Sequence, residues 1–218
     1  MNYTELKAAI IAYTDNQDPA FEAEVPLFVK QAEQRIFNMV QFPSLRKNVT
    51  GSTTDNNKYL ACPADFLSVY SLALVKADGS YEYLLNKDVN FIRQAYPSPN
   101  DKALPKYYAL FGPQSNDVNE LTFILGPTPD ATYGAELHYF YYPPSIVTAG
   151  TSWLGDNFDS VLLYGALVEA YTYMKGEADM MQIYDGKFKE ALALAKRLGD
   201  GLERQDAYRS GQVRIQVT

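Results

Sequence analysis

An apolar stretch near the C-terminal end decides the fold: residues 156–174, which read DNFDSVLLYGALVEAYTYM. Its large apolar side chains recur at intervals of three and four residues, which predicts one α-helix that a Lys-Gly pair closes. A second periodic stretch, residues 178–205, predicts a long helix that forms an αα-hairpin with the first. The apolar positions are Phe158, Val161, Leu162, Val168, Tyr171 and Met174 in the first helix, and Met181, Tyr184, Phe188, Leu192, Ala195, Leu198 and Leu202 in the second.

The N-terminal residues predict two more helices by the same spacing. The first has its apolar stripe at Tyr3, Leu6, Ile10 and Tyr13. Polar residues and Pro19 then interrupt the pattern, and a second helix is predicted to begin near Pro26, because proline suits the first turn. Phe42-Pro43 ends it. The sequence therefore predicts a helical bundle formed by residues 1–46 and 151–206.

Residues 47–150 change to β-branched and aromatic runs separated by Gly, Pro, Asn and Asp. The turn at residues 77–80 predicts a hairpin whose return strand carries Tyr81, Tyr83 and Leu85. This middle segment predicts a small antiparallel sheet or sandwich. The other predicted elements are strands at 59–62, 66–75, 105–111, 120–125 and 135–142, and a short helix at 87–95.

The order of these segments predicts an α+β protein, with terminal helices packed as a bundle and a β-rich domain inserted between them. Residues 207–218 have a different character, because they contain no acid and alternate apolar residues at Val213, Ile215 and Val217. Such an extended tail cannot cover its own apolar side chains. It either docks on the protein's own sheet or adds to a partner as a strand.

Composition and charge are those of a globular protein with a sizeable core: 218 residues, 47% hydrophobic and 21% charged. The net charge of −7 disfavours a general nucleic-acid surface, which needs clustered Lys and Arg. The charge is uneven, at −10 over residues 1–185 and +3 from Gly186 onward. The N-terminus lacks the basic region of a secretory signal, and no apolar stretch reaches the ~20 residues of a membrane span. We therefore expect a cytosol-like compartment and no membrane contact.

Motifs for catalysis are scarce. The patterns of phosphate loops, dinucleotide folds, nucleophile elbows and zincins are absent, and a single cysteine, Cys62, excludes a disulfide framework or a Cys-cluster metal site. Asp156 and Asp159 could form the carboxylate pair of a hydrolase, but their position at a helix start explains them. The one histidine, His138, shares a strand face with Phe140 and has no identifiable catalytic partner. We expect no enzyme activity, cofactor or metal.

Tyrosine is the unusual component, with 18 residues. Aromatic faces stack sugars or bases, and they also form protein interfaces. Without a basic groove beside them, a protein interface ranks first, carbohydrate second and nucleic acid third. Tyr107, Tyr139 and Tyr141 are therefore predicted interface residues, and a carbohydrate-binding module that uses the tyrosine-rich sheet is the alternative.

Five segments together resemble the head-to-tail adaptor, or connector, proteins of tailed bacteriophages, particularly of short-tailed phages. The strongest is Thr151-Ser152-Trp153-Leu154 with the helix that follows it. These are structural patterns, and none is a catalytic signature. The segments are residues 28–36, 60–67, 125–129, 151–154 and 161–170.

The resemblance implies a structural virion protein at the head–tail interface, assembled in the host bacterial cytoplasm. It implies a homo-oligomeric ring, normally of twelve copies, that lies beneath the portal protein, extends the DNA channel and gives the tail or nozzle protein its platform. Double-stranded DNA would pass without sequence-specific binding, which suits an acidic body. The C-terminal segment is expected to contact the portal through Tyr208, Arg209, Val213, Arg214, Ile215 and Val217, and the tyrosine-rich sheet is expected to face neighbours or the tail.

Overall fold

The structure is a computed structural model that describes residues 1–98, 100–112 and 121–209, with 198–209 described as helix backbone. These residues form seven α-helices and eight strands. The helices are Tyr3–Thr14 (α1), Pro19–Met39 (α2), Val89–Ala95 (α3), Ile146–Ala149 (α4), Trp153–Asn157 (α5), Asp159–Met174 (α6) and Ala178–Arg209 (α7). The strands are Arg46–Ser52 (β1), Tyr59–Ala61 (β2), Ser68–Val75 (β3), Tyr81–Tyr83 (β4), Leu85–Asn86 (β5), Tyr107–Phe111 (β6), Thr122–Gly126 (β7) and Gly134–Phe140 (β8).

The chain divides into two compact units. One is helical and consists of residues 1–45 with the chain from Pro143 onward, and the other is β-rich and runs from Arg46 to Tyr142. The α+β class predicted from the sequence is confirmed. The predicted β-rich segment extended to residue 150, whereas α4 is a helix that Ser145 caps by accepting a hydrogen bond from the Val147 N–H. Helix α4 packs against α2 and therefore groups with the helical unit.

The helical unit is built around α6, which packs against α1, α2 and α7. This helix is apolar on nearly every side, as a helix surrounded by others must be. It approaches both neighbours closely at Gly165, where an added Cβ would lie 3.2 Å from the Ala32 Cβ of α2 and 3.1 Å from the Phe188 ring of α7. The buried residues of α6 are Val161, Leu162, Leu163, Gly165, Ala166, Leu167 and Ala170.

Ring contacts define the directions of the three helices. The Tyr173 ring of α6 lies 5.3 Å from Phe28, which precedes Ala32 on α2. On the other side, Tyr171 lies 4.9 Å from Tyr184, which precedes Phe188 on α7. Both neighbours therefore run antiparallel to α6 and parallel to each other, and α6 with α7 forms the predicted αα-hairpin.

The start of α2 differs from the prediction. The helix begins at Pro19, and the Asp18 side chain caps it by accepting a hydrogen bond from the Ala20 N–H at 2.9 Å. Proline occupies the first position, where its missing N–H costs nothing. Pro26 lies inside the helix. The sequence offers two prolines that suit a helix start, and the capping aspartate marks the correct one.

A buried carboxylate holds the returning chain in the helical unit. Glu33 of α2 is 3% exposed, and its Oε1 accepts a hydrogen bond from the Ile146 N–H at 2.9 Å, at the start of α4. Burial raises the pKa of Glu33, although this hydrogen bond and one with Ser145 oppose the shift. The residues are 113 positions apart, so this contact fixes where the chain rejoins the helices.

The β-rich unit is a sandwich of two four-stranded sheets, with strand orders β1-β8-β3-β4 and β2-β7-β6-β5. All neighbours are antiparallel except β5 and β6. The hairpin of β3 and β4 is confirmed, with Tyr81 and Tyr83 on its return strand. Leu85, predicted for the same strand, lies instead in β5 of the other sheet, because its N–H donates to the Lys106 carbonyl beside β6. Strand β1 is one that the sequence patterns missed. Core side chains come from both sheets: Leu72, Leu74, Tyr108, Phe123, Leu125, Ala135, Leu137 and Tyr139.

The boundary of the C-terminal tail also differs. The prediction placed the extended tail at 207–218, but α7 continues to Arg209, so Tyr208 and Arg209 are helical. No proline interrupts this stretch, and the helix accommodates Gly199 and Gly201 within it. The remaining part of the predicted tail, residues 210–218, lies outside the described residues.

Filling the close approach at Gly165 is expected to destabilise the protein. A Gly165→Leu substitution forces α2 and α7 apart and should lower the free energy of unfolding by about 1–3 kcal/mol. Gly186→Leu on α7 is the matched control, because nothing lies within 4 Å of its added Cβ. That control should gain about 0.5–1 kcal/mol from helix propensity. Urea unfolding compares the two, and equal stability would contradict the packing described.

The buried Glu33 predicts a pH dependence of stability. Because its pKa is higher in the folded than in the unfolded chain, its contribution is fully present below the ordinary value of 4.5 and declines as the pH rises through the raised pKa. Relative to Glu33→Gln, the unmodified protein should lose stability as the pH rises above 4.5 toward neutrality. Urea unfolding of both proteins across this range measures the difference, and a pH-independent difference would show that Glu33 does not titrate as described.

Candidate interaction surfaces

Tyr139, a predicted interface residue, is a core residue instead. It is 1% exposed, its ring packs beside Phe66, and its hydroxyl donates a 2.8 Å hydrogen bond to Asp65 Oδ1. Lys47 Nζ bonds the other carboxylate oxygen at 2.6 Å and lowers the pKa of Asp65. The alternation along β8 correctly places His138 and Phe140 on one face of the strand. It does not show that the other sheet covers the opposite face, where Tyr139 lies. The side chain therefore offers no surface to a partner.

The other two predicted tyrosines are half-buried and lie in separate clusters. Tyr141 packs 6.3 Å from Tyr139, with Lys47 Nζ 5.1 Å from its ring centre. Tyr107 belongs to the other sheet, where its ring packs edge-on to Phe91 of α3 at 5.4 Å. The structure does not bring these residues together into one aromatic surface.

The predicted portal-binding residues divide between two parts of the chain. Tyr208 and Arg209 are the last two residues of α7, where the structure describes backbone. Val213, Arg214, Ile215 and Val217 lie outside the described residues. Their assignment therefore depends on the sequence pattern.

The structure exposes a different aromatic surface, on the outer face of the sheet that contains β1, β8, β3 and β4. Tyr81 and Tyr83 of β4 stack at 6.2 Å and are 50% and 67% exposed. At the opposite end of the face, the Arg46 guanidinium lies over the rings of Tyr70 and Phe140, at 5.3 and 5.8 Å. A bulge between Val69 and Ser71 in β3 marks the position of Tyr70. We call this the outer aromatic face.

Polar side chains occupy the middle of the outer aromatic face, around Glu136. Its carboxylate accepts a hydrogen bond from Asn48 Nδ2 at 3.3 Å, and His138 Nε2 lies 3.6 Å away. A hydrogen bond to Glu136 raises the pKa of Tyr81. His138 Nδ1 contacts Ser71 Oγ at 3.2 Å. The histidine is exposed on an open sheet face, so water reaches this Ser-His-Glu group freely, unlike the dry site of a hydrolase.

The carboxylates that the sequence offered as an acid pair have structural positions. Asp159 is the first residue of α6, and Asp156 lies in the first turn of α5, where a negative charge favours the helix. Within the described residues, no group of three or more His, Cys, Asp or Glu side chains could hold a metal ion. Over the same residues, no helix is long and apolar enough to cross a membrane.

Comparison with known families gives a match over nearly the whole chain. A family model described as "SU10 adaptor protein" matches residues 1–216, which include both structural units. A search of curated proteins found no match.

Proposed function

The chain belongs to the SU10 adaptor protein family, and from that premise we propose that it forms a ring between the portal and the tail of a bacteriophage. The family gives a structural adaptor role in the virion, which implies association with portal and tail proteins. The match over residues 1–216 carries this proposal, because it assigns the adaptor role to both units together.

The proposed ring contains twelve copies and extends the DNA channel. The net charge of −10 over residues 1–185 supports this, because an acidic wall repels DNA phosphates and lets the duplex slide. No sequence-specific contact with DNA is proposed. A ring of this kind is closed by heterologous contacts, in which one face of each copy meets a different face of the next copy.

The proposed contact with the portal is made by the C-terminal segment. Helix α7 has 32 residues and is therefore about 48 Å long, twice the length of α6 with 16 residues. Because α7 runs antiparallel to α6, its C-terminal half extends beyond the N-terminal end of that helix. The last residues of the chain alternate Val213, Ile215 and Val217, a pattern that suits addition to a partner as a strand.

Light scattering on the protein alone and mixed with the portal protein of the same virus tests the ring and the segment together. We expect a ring-sized complex with the portal, and we expect deletion of residues 210–218 to abolish it. This deletion leaves α7 intact, so the melting temperature should stay unchanged and serves as the control. A monomer that ignores the portal would overturn the adaptor ring, and unimpaired binding by the shortened chain would overturn the role of the segment.

Carbohydrate binding is the second candidate function, and the outer aromatic face favours it. Exposed tyrosine rings stack on sugars, and Glu136 with Asn48 supplies hydrogen-bonding groups between them. A glycan array should then give binding that Tyr83→Ala abolishes. Phe111→Ala, on an exposed ring of the other sheet, should have no effect. An array without signal, or equal loss in both variants, would remove this candidate.

A further inference from the structure

Strand β1 is a long edge strand with one free side. It pairs with β8, and within the described residues no strand pairs with its other side. The other edge strands of the sandwich, β2, β4 and β5, have three, three and two residues, whereas β1 has seven. A free edge offers a row of unpaired backbone N–H and C=O groups to a further strand. Strand β1 is therefore the edge of this sandwich best suited to accept one.

Most of β1 lacks the features that protect natural edge strands. A lysine that points inward is one such feature, and Lys47 lies opposite the buried Tyr139. Its charge, however, is paired with Asp65 at 2.6 Å. The rest of the strand, residues 48–52, reads NVTGS and contains no charge and no proline, and its pairing with β8 is continuous. The free side of β1 is therefore open to another strand along residues 48–52.

An apolar groove lies beside this edge. Val49 and Gly51 of β1 lie opposite core residues of β8, and opposite residues of an antiparallel pair share a face of the sheet. Both therefore face the inside of the sandwich, yet Val49 is 36% exposed and nothing lies within 4 Å of a Cβ added to Gly51. The groove beside them has a volume of about 280 Å³, with β2 along its opposite side and the core residue Phe123 in its lining. The two sheets thus leave the core open between β1 and β2.

The C-terminal segment supplies side chains that fit this groove. Residues 210–218, which read SGQVRIQVT, lie outside the described residues, and their sequence alternates Val213, Ile215 and Val217 with polar residues. These three positions have the same period-two spacing as positions 47, 49 and 51 of β1, so an added strand would present all three to the groove. An apolar cavity of roughly 150 Å³ holds a benzene ring, so about 280 Å³ accommodates more than one aliphatic side chain. The segment and the groove therefore match in spacing and in apolar character.

We propose that residues 213–217 of one copy add to β1 of a neighbouring copy as an antiparallel strand, with Ile215 opposite Val49 and the apolar side chains in the groove. One contact then removes from water both an open strand edge and an apolar segment. The donor segment and the acceptor groove are different parts of the chain, so their contact is heterologous, as ring contacts are. The proposal goes beyond the portal contact, because it concerns the protein before it meets the portal. The same residues cannot fill both sites, so the portal must displace the segment from the groove.

The charges along the edge favour the antiparallel direction. With the segment centred on Val49, Arg214 lies opposite Thr50, whose partner in β8 is Glu136, and all three share the outer aromatic face. A parallel segment with the same centre would place Arg214 two residues nearer to Arg46, where like charges repel. Antiparallel pairs are also slightly more stable per residue than parallel ones.

Hydrogen exchange on the full chain tests whether β1 is covered. The amides of residues 46–52 that point away from β8 should exchange roughly tenfold more slowly in the unmodified protein than in Ile215→Asp, which places a charge on the apolar face of the segment. Gln216→Asp is the matched control, because residue 216 lies on the other face of the segment, and it should keep the slow exchange. The amides of β4, at the opposite edge of the same sheet, should be alike in all three proteins. Equal exchange of residues 46–52 with and without Ile215→Asp, or equal loss in both variants, would overturn the docking.

Disulfide cross-linking tests the direction of the segment and its exchange between copies. In a Cys62→Ala background, Asn48→Cys with Gln216→Cys should give a ladder of covalent oligomers on oxidation, because opposite residues of an antiparallel pair have Cα atoms about 4.5–5.5 Å apart, within the range of a disulfide. Asn48→Cys with Arg214→Cys is the control, since these residues are opposite each other only in a parallel arrangement. A ladder in the control alone would overturn the antiparallel direction. Cross-linked monomers without a ladder would overturn the exchange between copies, and no cross-link in either pair would overturn the contact.

The segment contact and the portal role fail in different ways. If the portal captures the unmodified chain while Ile215→Asp leaves the exchange of β1 unchanged, the portal role stands and the segment contact falls. If β1 is protected and the ladder forms but the portal captures nothing, the segment contact stands and the portal role falls.

Discussion

Three helices meet at a residue without a side chain, and the geometry of the helical unit depends on that contact. Gly165 lets α2 and α7 approach α6 so closely that Ala32 and Phe188 lie at van der Waals distance from its backbone position. Such packing is intolerant of added volume, because interiors are filled to the density of organic crystals. The contact therefore fixes the level of α2 relative to α7, and with it the heights of every side chain on their outer faces.

The second constraint is the point where the chain rejoins the helices. A buried carboxylate is costly unless it is hydrogen-bonded, and Glu33 is positioned by the Ile146 N–H at the first turn of α4. That N–H is one of the donors that every helix start leaves without an internal partner. The protein thus satisfies a helix start with a carboxylate from α2, and the two halves of the helical unit are joined by a polar contact inside an apolar core.

Much of the fold follows from the sequence, and the exceptions have physical causes. The stripes of α6 and α7 repeat at the helical period, so both helices and their hairpin were predictable. The predicted start of α2 was wrong because Pro19 and Pro26 both suit the first turn of a helix, and only the Asp18 cap shows which of them begins it. Tyr139 was misassigned because period-two alternation shows which residues share a face, but not which face another sheet covers. The Glu33 contact joins residues 113 positions apart, and no local pattern reveals it.

The large aliphatic side chains that stay exposed on the helical unit do not form one continuous surface. Those of α2 and α7 are separated by Lys30, Gln31 and Gln34 on one helix and by Lys187 and Glu190 on the other. Each exposed apolar patch is therefore small, and patches of this size are ordinary on a folded protein surface. Because polar side chains interrupt the apolar ones on the outer helices, the apolar burial that stabilises the helical unit is concentrated at α6, which α1, α2 and α7 surround.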